Sequence, residues 1–394
     1  MAVVINGNGT VTGISVGGLP DGIVDSGTLA TNSVDSAELV DGAVDDSHMA
    51  SISGRKNLII NGAMQVAQRG TSDTVDGGGW DYVIDRFCAL GQTSAGVFTY
   101  SQDSEAPAGF NKSLKVAVTT ADASLAAGDI YCIRHTIEGF NSAHLNYGSS
   151  DAKTTTLSFW VRSSLTGTFG GALNSEGNNR SYPFTYSISS ANTWEKKSIT
   201  ISGDTTGTWG TGNSHGVRIT WGLGVGSTYS GTTDSWAGSE YFSATSSTSV
   251  IGTNSSTWYI TGVQLELGST ATEFEHRSYG EELALCQRYY HKTTSSNVGG
   301  AYQNIAVCTR IGNTVFRGII EFPVTMRTQP SFSSTGSFQS LDGFTFSSVV
   351  VGDGASLDRH GIQVFTSENG SSGDSIIFRA NNDATAALIY DAEL

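Results

Sequence analysis

Hydrolysis of a glycosidic bond needs two carboxyl groups facing each other about 5 to 9.5 Å apart. Two stretches gather carboxylates closely enough to raise that chemistry: Asp76, Asp81 and Asp85, and then Glu273, Glu275, Glu281 and Glu282. Both have arginine neighbours (Arg86, Arg277, Arg288) that would turn them into ion pairs or a solvated rim instead. Asp85, in phase with Val83, Phe87 and Ala89, is the member expected to be buried and paired. One G-x-S-x-G string, Gly13-Ile14-Ser15-Val16-Gly17, lacks the strand-to-helix setting that a nucleophile elbow requires. The seven histidines (His48, His135, His144, His215, His276, His291, His360) form no H-x-x-x-H or H-E-x-x-H pair, so no zinc site is legible. Neither a P-loop nor a dinucleotide fingerprint occurs, and no cofactor is expected. These residues point to binding rather than catalysis.

Aromatics set in polar loops offer a different chemistry. Two long segments poor in aliphatic residues, TTGTWGTGNSHG and GSTYSGTTDSWAGSEYFSATSSTSVIGTNSS, carry Trp209, Tyr229, Trp236, Tyr241 and Phe242 among Gly, Ser and Thr. Flat rings beside hydroxyls and amides can hold a sugar, the ring stacking and the polar groups orienting its hydroxyls. The same residues would equally serve to pin long loops onto a sandwich or a neighbouring chain. Trp209, Tyr229, Trp236 and Tyr241 are the candidate ligand contacts.

The elements that must position these loops are strands. With 49 glycines, 5 prolines and abundant Ser and Thr in 394 residues, the chain reads as many short strands joined by tight turns. Between Arg55 and Leu267 the candidates are Tyr82–Leu90, Leu114–Val118, Ile130–Ile137, Thr156–Arg162, Trp194–Ile201, Gly216–Leu223 and Trp258–Leu267, with Leu58–Ile60 running into an Asn61-Gly62 turn. Eight or more strands without a convincing helix predict a jelly-roll sandwich. The last of them would put Tyr259, Thr261, Val263, Leu265 and Leu267 on one face. Ser278 and Glu281 then stand as a capping box before a short helix whose apolar face is Tyr279, Leu283, Cys286 and Tyr290. After a Thr293–Gly300 joint, six further runs (Ile305–Arg310, Thr314–Phe322, Phe344–Val351, Gly361–Phe365, Ser375–Arg379 and Ala387–Tyr390) predict a distal β-sandwich. The expected domains are residues 1–54, 55–275, 276–300 and 301–394.

Residues 3–12 read as a hairpin around Asn-Gly-Asn-Gly. Beyond it Ile14, Leu19, Val24, Leu29, Val34, Leu39, Val44 and Met49 recur at a constant step of five among small polar residues. Five is neither a helical nor a strand period. One apolar residue in five buries poorly within a single chain, but three chains wound about an axis would bury all of them. A disordered acidic linker is the alternative, since this stretch has seven acidic residues and no Lys or Arg. The net charge of −15 argues against nucleic acid or an anionic bilayer as partner. No run of about 18 apolar residues is present, so no membrane insertion is expected, and MAVVINGNGT lacks the basic and apolar regions of a signal peptide. Cys88, Cys132, Cys286 and Cys308 have no metal spacing, and Cys88 and Cys132, inside strand-like runs, read as buried free thiols.

The segment VQLELGSTATEFEHRSYGEELALCQRYY resembles a signature of bacteriophage tail-fibre proteins. VINGNGTVTGISVGGLPDGIVDSGTLA is similar to the virion-attachment region of such fibres, RNLIINGAMQVAQRGTS to the start of their central domain, and FPVTMRTQP with the final DAEL to their distal sandwich. Central fragments, among them NLIINGAMQ, TLSFWVR and WYITGVQLE, also resemble jelly-roll carbohydrate-binding modules. Those modules commonly carry an acidic residue after the opening Asn-Gly, near a structural calcium. Ala63 stands there in this chain, so no calcium site is carried over. The resemblance implies an all-β homotrimeric virion component with a trimeric repeat stalk. Its N-terminus would meet a phage tail or other virion protein, and its distal domains a host surface glycan. A purely structural spike or head decoration, and a glycan depolymerase, are the alternatives.

Overall fold

The computed structural model describes residues 55–93, 95–177, 179–294, 302–352, 354 and 356–394, together with the backbone of Val4–Ile5 and Val11–Thr12. Two compact units make up the chain, Met1–Ser53 and Gly54–Leu394. In the first, Val4 pairs with Thr12 and Ile5 with Val11, the hairpin expected there. The period-five residues Ile14, Leu19, Val24, Leu29, Val34, Leu39, Val44 and Met49 lie outside the described residues.

Twelve of the described strands build the sandwich of the second unit: β1 Ser72–Val75, β2 Trp80–Tyr82, β3 Phe87–Gly91, β4 Val97–Asp103, β5 Ser113–Thr120, β6 Ile130–Glu138, β7 Thr155–Ser163, β8 Gly167–Asn174, β9 Ser181–Ile188, β10 Glu195–Ile201, β11 His215–Val225 and β12 Thr257–Leu267. They form two six-stranded antiparallel sheets, ordered β9-β8-β11-β6-β3-β2 and β10-β7-β12-β5-β4-β1, packed as a jelly-roll sandwich. Alternation puts Ile133, Phe169, Phe184 and Trp221 of one sheet against Tyr100, Val116, Phe159 and Val161 of the other. Phe159 meets Tyr186 and Trp221 edge-on, with ring centres 5.1 and 5.9 Å away.

Strand β12 departs from the single alternating face expected of it. Its pairing with β7 slips between Thr261 and Gln264, where Gly262 takes φ +61° and a Cβ would meet the Phe110 ring at 2.7 Å. This bulge exchanges the faces. Trp258 and Ile260 before it and Val263 and Leu265 after it all enter the core, while Tyr259 turns outward under the Lys115 and Arg162 cations. The expected Tyr82–Leu90 strand is likewise interrupted, because Arg86 at φ +70° turns the chain between β2 and β3.

The long segment between β11 and β12 folds back over the outer face of the first sheet. Asn174 Nδ2 donates to the Tyr241 carbonyl at 2.7 Å, and Phe242 is buried against Leu90, Ile130 and Cys132. Glycines make room for it: a Cβ on Gly170 would lie 2.2 Å from Ser247 Oγ, and one on Gly222 2.7 Å from Ser243 Oγ. All four cysteines are buried and free, as expected for Cys88 and Cys132.

Helix α1, Tyr279–Gln287, follows the sandwich. Ser278 Oγ accepts from Glu281 N–H at 3.3 Å, but the Glu281 carboxylate faces Arg55 at 3.8 Å, so half of the capping box forms. The buried side of the helix is Glu282 and Cys286, continued by Tyr289, and it packs on Ile60 and Val66. Tyr279 is exposed and Tyr290 already belongs to a strand, which corrects the expected apolar face.

Beyond the helix come β13 Tyr290–Thr294, β14 Asn304–Arg310, β15 Val315–Glu321, β16 Ser331–Thr335, β17 Phe338–Ser340, β18 Thr345–Val351, β19 Arg359–Thr366, β20 Ser375–Ala380 and β21 Ala387–Asp391. The six expected distal strands are all present. Instead of lying as two open sheets, β14-β15-β19-β18-β17-β20 close into a barrel, flanked by the small sheet β13-β21-β16. Phe316, Val364, Phe378 and Tyr390 are in its core.

Sandwich and barrel are locked by charged groups drawn from distant parts of the sequence. Asp85, fully buried, accepts from Gln68 N–H and Gln68 Nε2 at 2.6 and 2.7 Å. Glu138, also buried, takes two bonds from Arg288 at 2.6 and 2.9 Å and one from the Tyr289 hydroxyl at 2.6 Å. Arg86 stacks 3.5 Å over the Tyr289 ring and pairs with Glu393, while Arg69 reaches Asp391 and Glu393 at 3.1 Å each. Arg327 donates to the carbonyls of Ala392 and Glu393. Asn61 N–H donates to Glu282, which also pairs with Arg277, and Asn61 Nδ2 donates to the Asp85 carbonyl, so the segments around Asn61, Arg277, Arg327 and Glu393 meet in one joint.

Candidate functional site

The opening segment of the joint also builds the wall of a pocket. Asn57 Oδ1 accepts from Ile59 N–H and Leu265 N–H, its Nδ2 donates to the Val263 carbonyl, and its own N–H donates to Glu275 at 2.7 Å. Arg277 runs beneath, donating to the carbonyls of Ile59 and Asn57 and pairing with Glu275 and Glu282. Its Nε is buried without a partner.

Opposite this segment, the chain leaves β6 through Gly139 into a helical turn, Gly139–Ser142. The loop before β11 clamps that turn. Gly139 N–H donates to Ser214 and Phe140 N–H to Gly212, at 2.8 and 2.7 Å. A Cβ on Gly139 would lie 2.7 Å from two carbonyl oxygens, those of Gly210 and Gly212. The backbone of Phe140 is thus fixed while its side chain stands 63 % exposed. Arg55, Asn57, Leu58, Ile60, Phe140, Asn141, His144 and Arg277 together line a pocket of about 230 Å³. A fixed aromatic face beside an amide, an imidazole and a guanidinium can hold a polyhydroxylated ring by stacking and by hydrogen bonds to its edge.

The four aromatics singled out in the sequence lie elsewhere and in two groups. Trp209 is 9 % exposed within the sandwich core, and its ring lies 5.4 Å from that of Trp236. Both pack on Tyr147, and their Nε1 atoms donate to Thr206 and Ser202 carbonyls. Tyr229 packs with Phe242, 5.6 Å between ring centres, and the Tyr241 ring lies against Gly231. That second group adjoins Arg134, whose guanidinium is held 4.0 Å over Trp80 and 4.9 Å from the Phe242 ring. These rings contact the protein itself. Phe140 escaped the sequence reading because one Phe in GFNSAHL carries no pattern. A single clue was available, an aromatic directly after a strand-ending glycine.

The candidate glutamates are likewise engaged. Glu275 and Glu282 pair with Arg277, Glu281 faces Arg55, and Glu273 faces Lys196 at 3.7 Å. Burial raises the Asp85 carboxyl above its ordinary range, and the nearby Arg69 charge and Gln68 bonds only partly offset this. Asp81 is raised too, by burial and then by Asp73 and Asp76. Burial would also raise Glu138, but the Arg288 and Tyr289 bonds outweigh it and hold the carboxyl low. Among the described residues no group of three or more His, Cys, Asp or Glu is arranged to hold a metal ion.

No family model matches the chain, and no curated protein matches it. Among solved structures it is similar to the enzymatically active domain of bacteriophage CBA120 tailspike protein 4, at 13% identity over 54% of this chain and 21% of that one, with TM-score 0.29. The chain thus spans about a fifth of that tailspike domain. It is also similar to TmCBM61 in complex with beta-1,4-galactotriose, at 8% identity over 54% of this chain and 100% of that one, with TM-score 0.28. A third is a family 11 carbohydrate-binding module from Clostridium thermocellum in complex with a beta-1,3-1,4-mixed-linked tetrasaccharide, at 10% identity over 53% and 100% of the two chains, with TM-score 0.25.

Proposed function

We propose that this chain is a non-catalytic subunit of a phage fibre that recognises a glycan of the host surface. One observation carries the glycan reading: the Phe140 ring is held out on a clamped backbone beside a pocket lined by Asn141, His144 and Arg55. A sugar ring would stack on Phe140 and take hydrogen bonds from those three side chains. The fibre reading rests on the resemblance of the segments around Asn61, Arg277, Arg327 and Glu393. Its support is that these four, far apart in sequence, meet in one joint. Residues 1–54 would be the virion-attached trimeric stalk, and single-site affinities in the millimolar range would add through effective concentration at a shared tip.

Catalysis is left out of the proposal because both Asp85 oxygens are occupied by Gln68 inside the joint, out of reach of a polysaccharide. A purely structural spike is the second reading, favoured by the packing of Trp209 and Trp236 into the protein's own surface. A protein beginning at Arg55 separates the two. Under the proposal it keeps the host-cell adsorption of the full chain but fails to enter virions. Loss of adsorption in a folded, still oligomeric protein of this kind would contradict it.

A further inference from the structure

The outside of the barrel carries an apolar row that the glycan site does not use. Val307 on β14 pairs with Ile377 on β20, and the Cys308–Gly318 pairing sets Val307 beside Ile319 on β15. Leu341 extends the row past Ile377, to whose carbonyl its N–H donates at 3.0 Å. Val307 is 68 % exposed, Ile319 56 % and Leu341 50 %. Contiguous exposed aliphatic surface is a common feature of binding faces.

We propose that this row is a contact between copies of the same chain. It has no aromatic ring and no hydrogen-bonding side chain, so it suits a protein and not a sugar. The barrel is closed, which leaves no strand edge for β-addition and makes a face-to-face contact the available mode. Two copies at a net charge of −15 repel each other unless they meet at a neutral face or at opposite charges. The row provides both. Two residues beyond Ile377 stands Arg379, over the exposed Tyr302 ring at 4.9 Å, and two beyond Ile319 stands Glu321, facing Arg359 across 3.8 Å at the surface, on the same flank of the row. A copy that sets its β20 side against the β15 side of its neighbour therefore joins apolar to apolar and basic to acidic. This is a head-to-tail contact of the kind that closes into a ring. The choice of a second copy as occupant leans on the fibre reading; the location of the contact does not.

The test uses the full chain. In the double variant Ile319→Cys/Ile377→Cys the added thiols are the accessible ones, because all four native cysteines are buried. Mild oxidation should give a ladder of covalent oligomers on a non-reducing gel. The pair Ile319→Cys/Thr345→Cys, with its second thiol at the far end of β18, should give none. Val307→Asp should weaken association in sedimentation about tenfold or more while near-ultraviolet circular dichroism stays unchanged. A wild-type chain that sediments as a monomer at its highest soluble concentration overturns both the contact and the fibre reading. An oligomer that neither cross-links through the 319/377 pair nor loosens on Val307→Asp overturns the contact alone.

Discussion

Replacing Asn61 by alanine tests whether the joint is held by side-chain hydrogen bonds. Asn61 is fully buried in the left-handed region at φ +62°. Its amide donates to the Val66 and Asp85 carbonyls, each at 2.9 Å, and its oxygen accepts from Val66 N–H at 2.9 Å. Alanine leaves the Asp85 carbonyl and Val66 N–H without partners, at about 1 kcal/mol each on the low side, while the Val66 carbonyl keeps its bond from Asp85 N–H. Holding a Cβ in left-handed backbone without the local bonds that asparagine makes adds about 1 kcal/mol. The sum is about 3 kcal/mol, read as a lower urea midpoint in tryptophan fluorescence. Asn61→Gly removes the backbone part and should cost about 2 kcal/mol. Asn61→Asp should be worse than alanine, since a carboxylate oxygen would then face two carbonyls. A loss under about 1 kcal/mol for Asn61→Ala, or glycine costing more than alanine, would refute the reasoning.

Acidification and catalysis give two further tests. Burial holds His291 at about 4, below its ordinary 6.5, and lowers His360 as well. The unfolded chain therefore takes up protons first as the pH falls. The contribution of His291 is complete above about pH 6.5 and is lost towards pH 4, up to about 3 kcal/mol, so thermal midpoints should drop across that window and drop less in His291→Phe. Incubation with host polysaccharide should release no reducing ends. Turnover that disappears in a folded Asp81→Asn or Asp85→Asn protein would overturn the non-catalytic reading.

Alternation and turn residues made the all-β class and most core strands legible. The misses have local causes. Gly262 breaks the period of β12, and a reading that assumed unbroken alternation put Tyr259 in phase with Val263. Strand β8, GTFGGALN, was missed because its glycines, needed where Gly170 and Gly171 pass close to Ser247 and Thr220, dilute the strand signal. Residues 331–335 are too polar to announce β16. Asn61-Gly62 looked like an ordinary turn, whereas the side chain of Asn61 ties three backbone groups together. The sequence showed that Arg277 had acidic neighbours within reach, but the pairings of Arg86 with Glu393 and of Arg288 with Glu138 span the chain. Only the closed fold reveals them. The aromatic loops carried the clearest sequence pattern; Trp209 and Phe242 are buried and Tyr229, Trp236 and Tyr241 half-buried, and Phe140 stands out because its neighbours fix its backbone.

Adsorption of the purified full-length protein and its Phe140→Ala variant to host cells, or to a glycan array, tests the central claim most directly. Losing the aromatic face of a sugar site costs about 1.5 to 3 kcal/mol, or roughly 10- to 100-fold in affinity per site. Stability should not change, because the ring lies outside the core. The account predicts saturable binding by the wild type, competed by free glycan and weakened at least tenfold in Phe140→Ala at an unchanged thermal midpoint. Equal binding by the two proteins, or no binding by either, would contradict it.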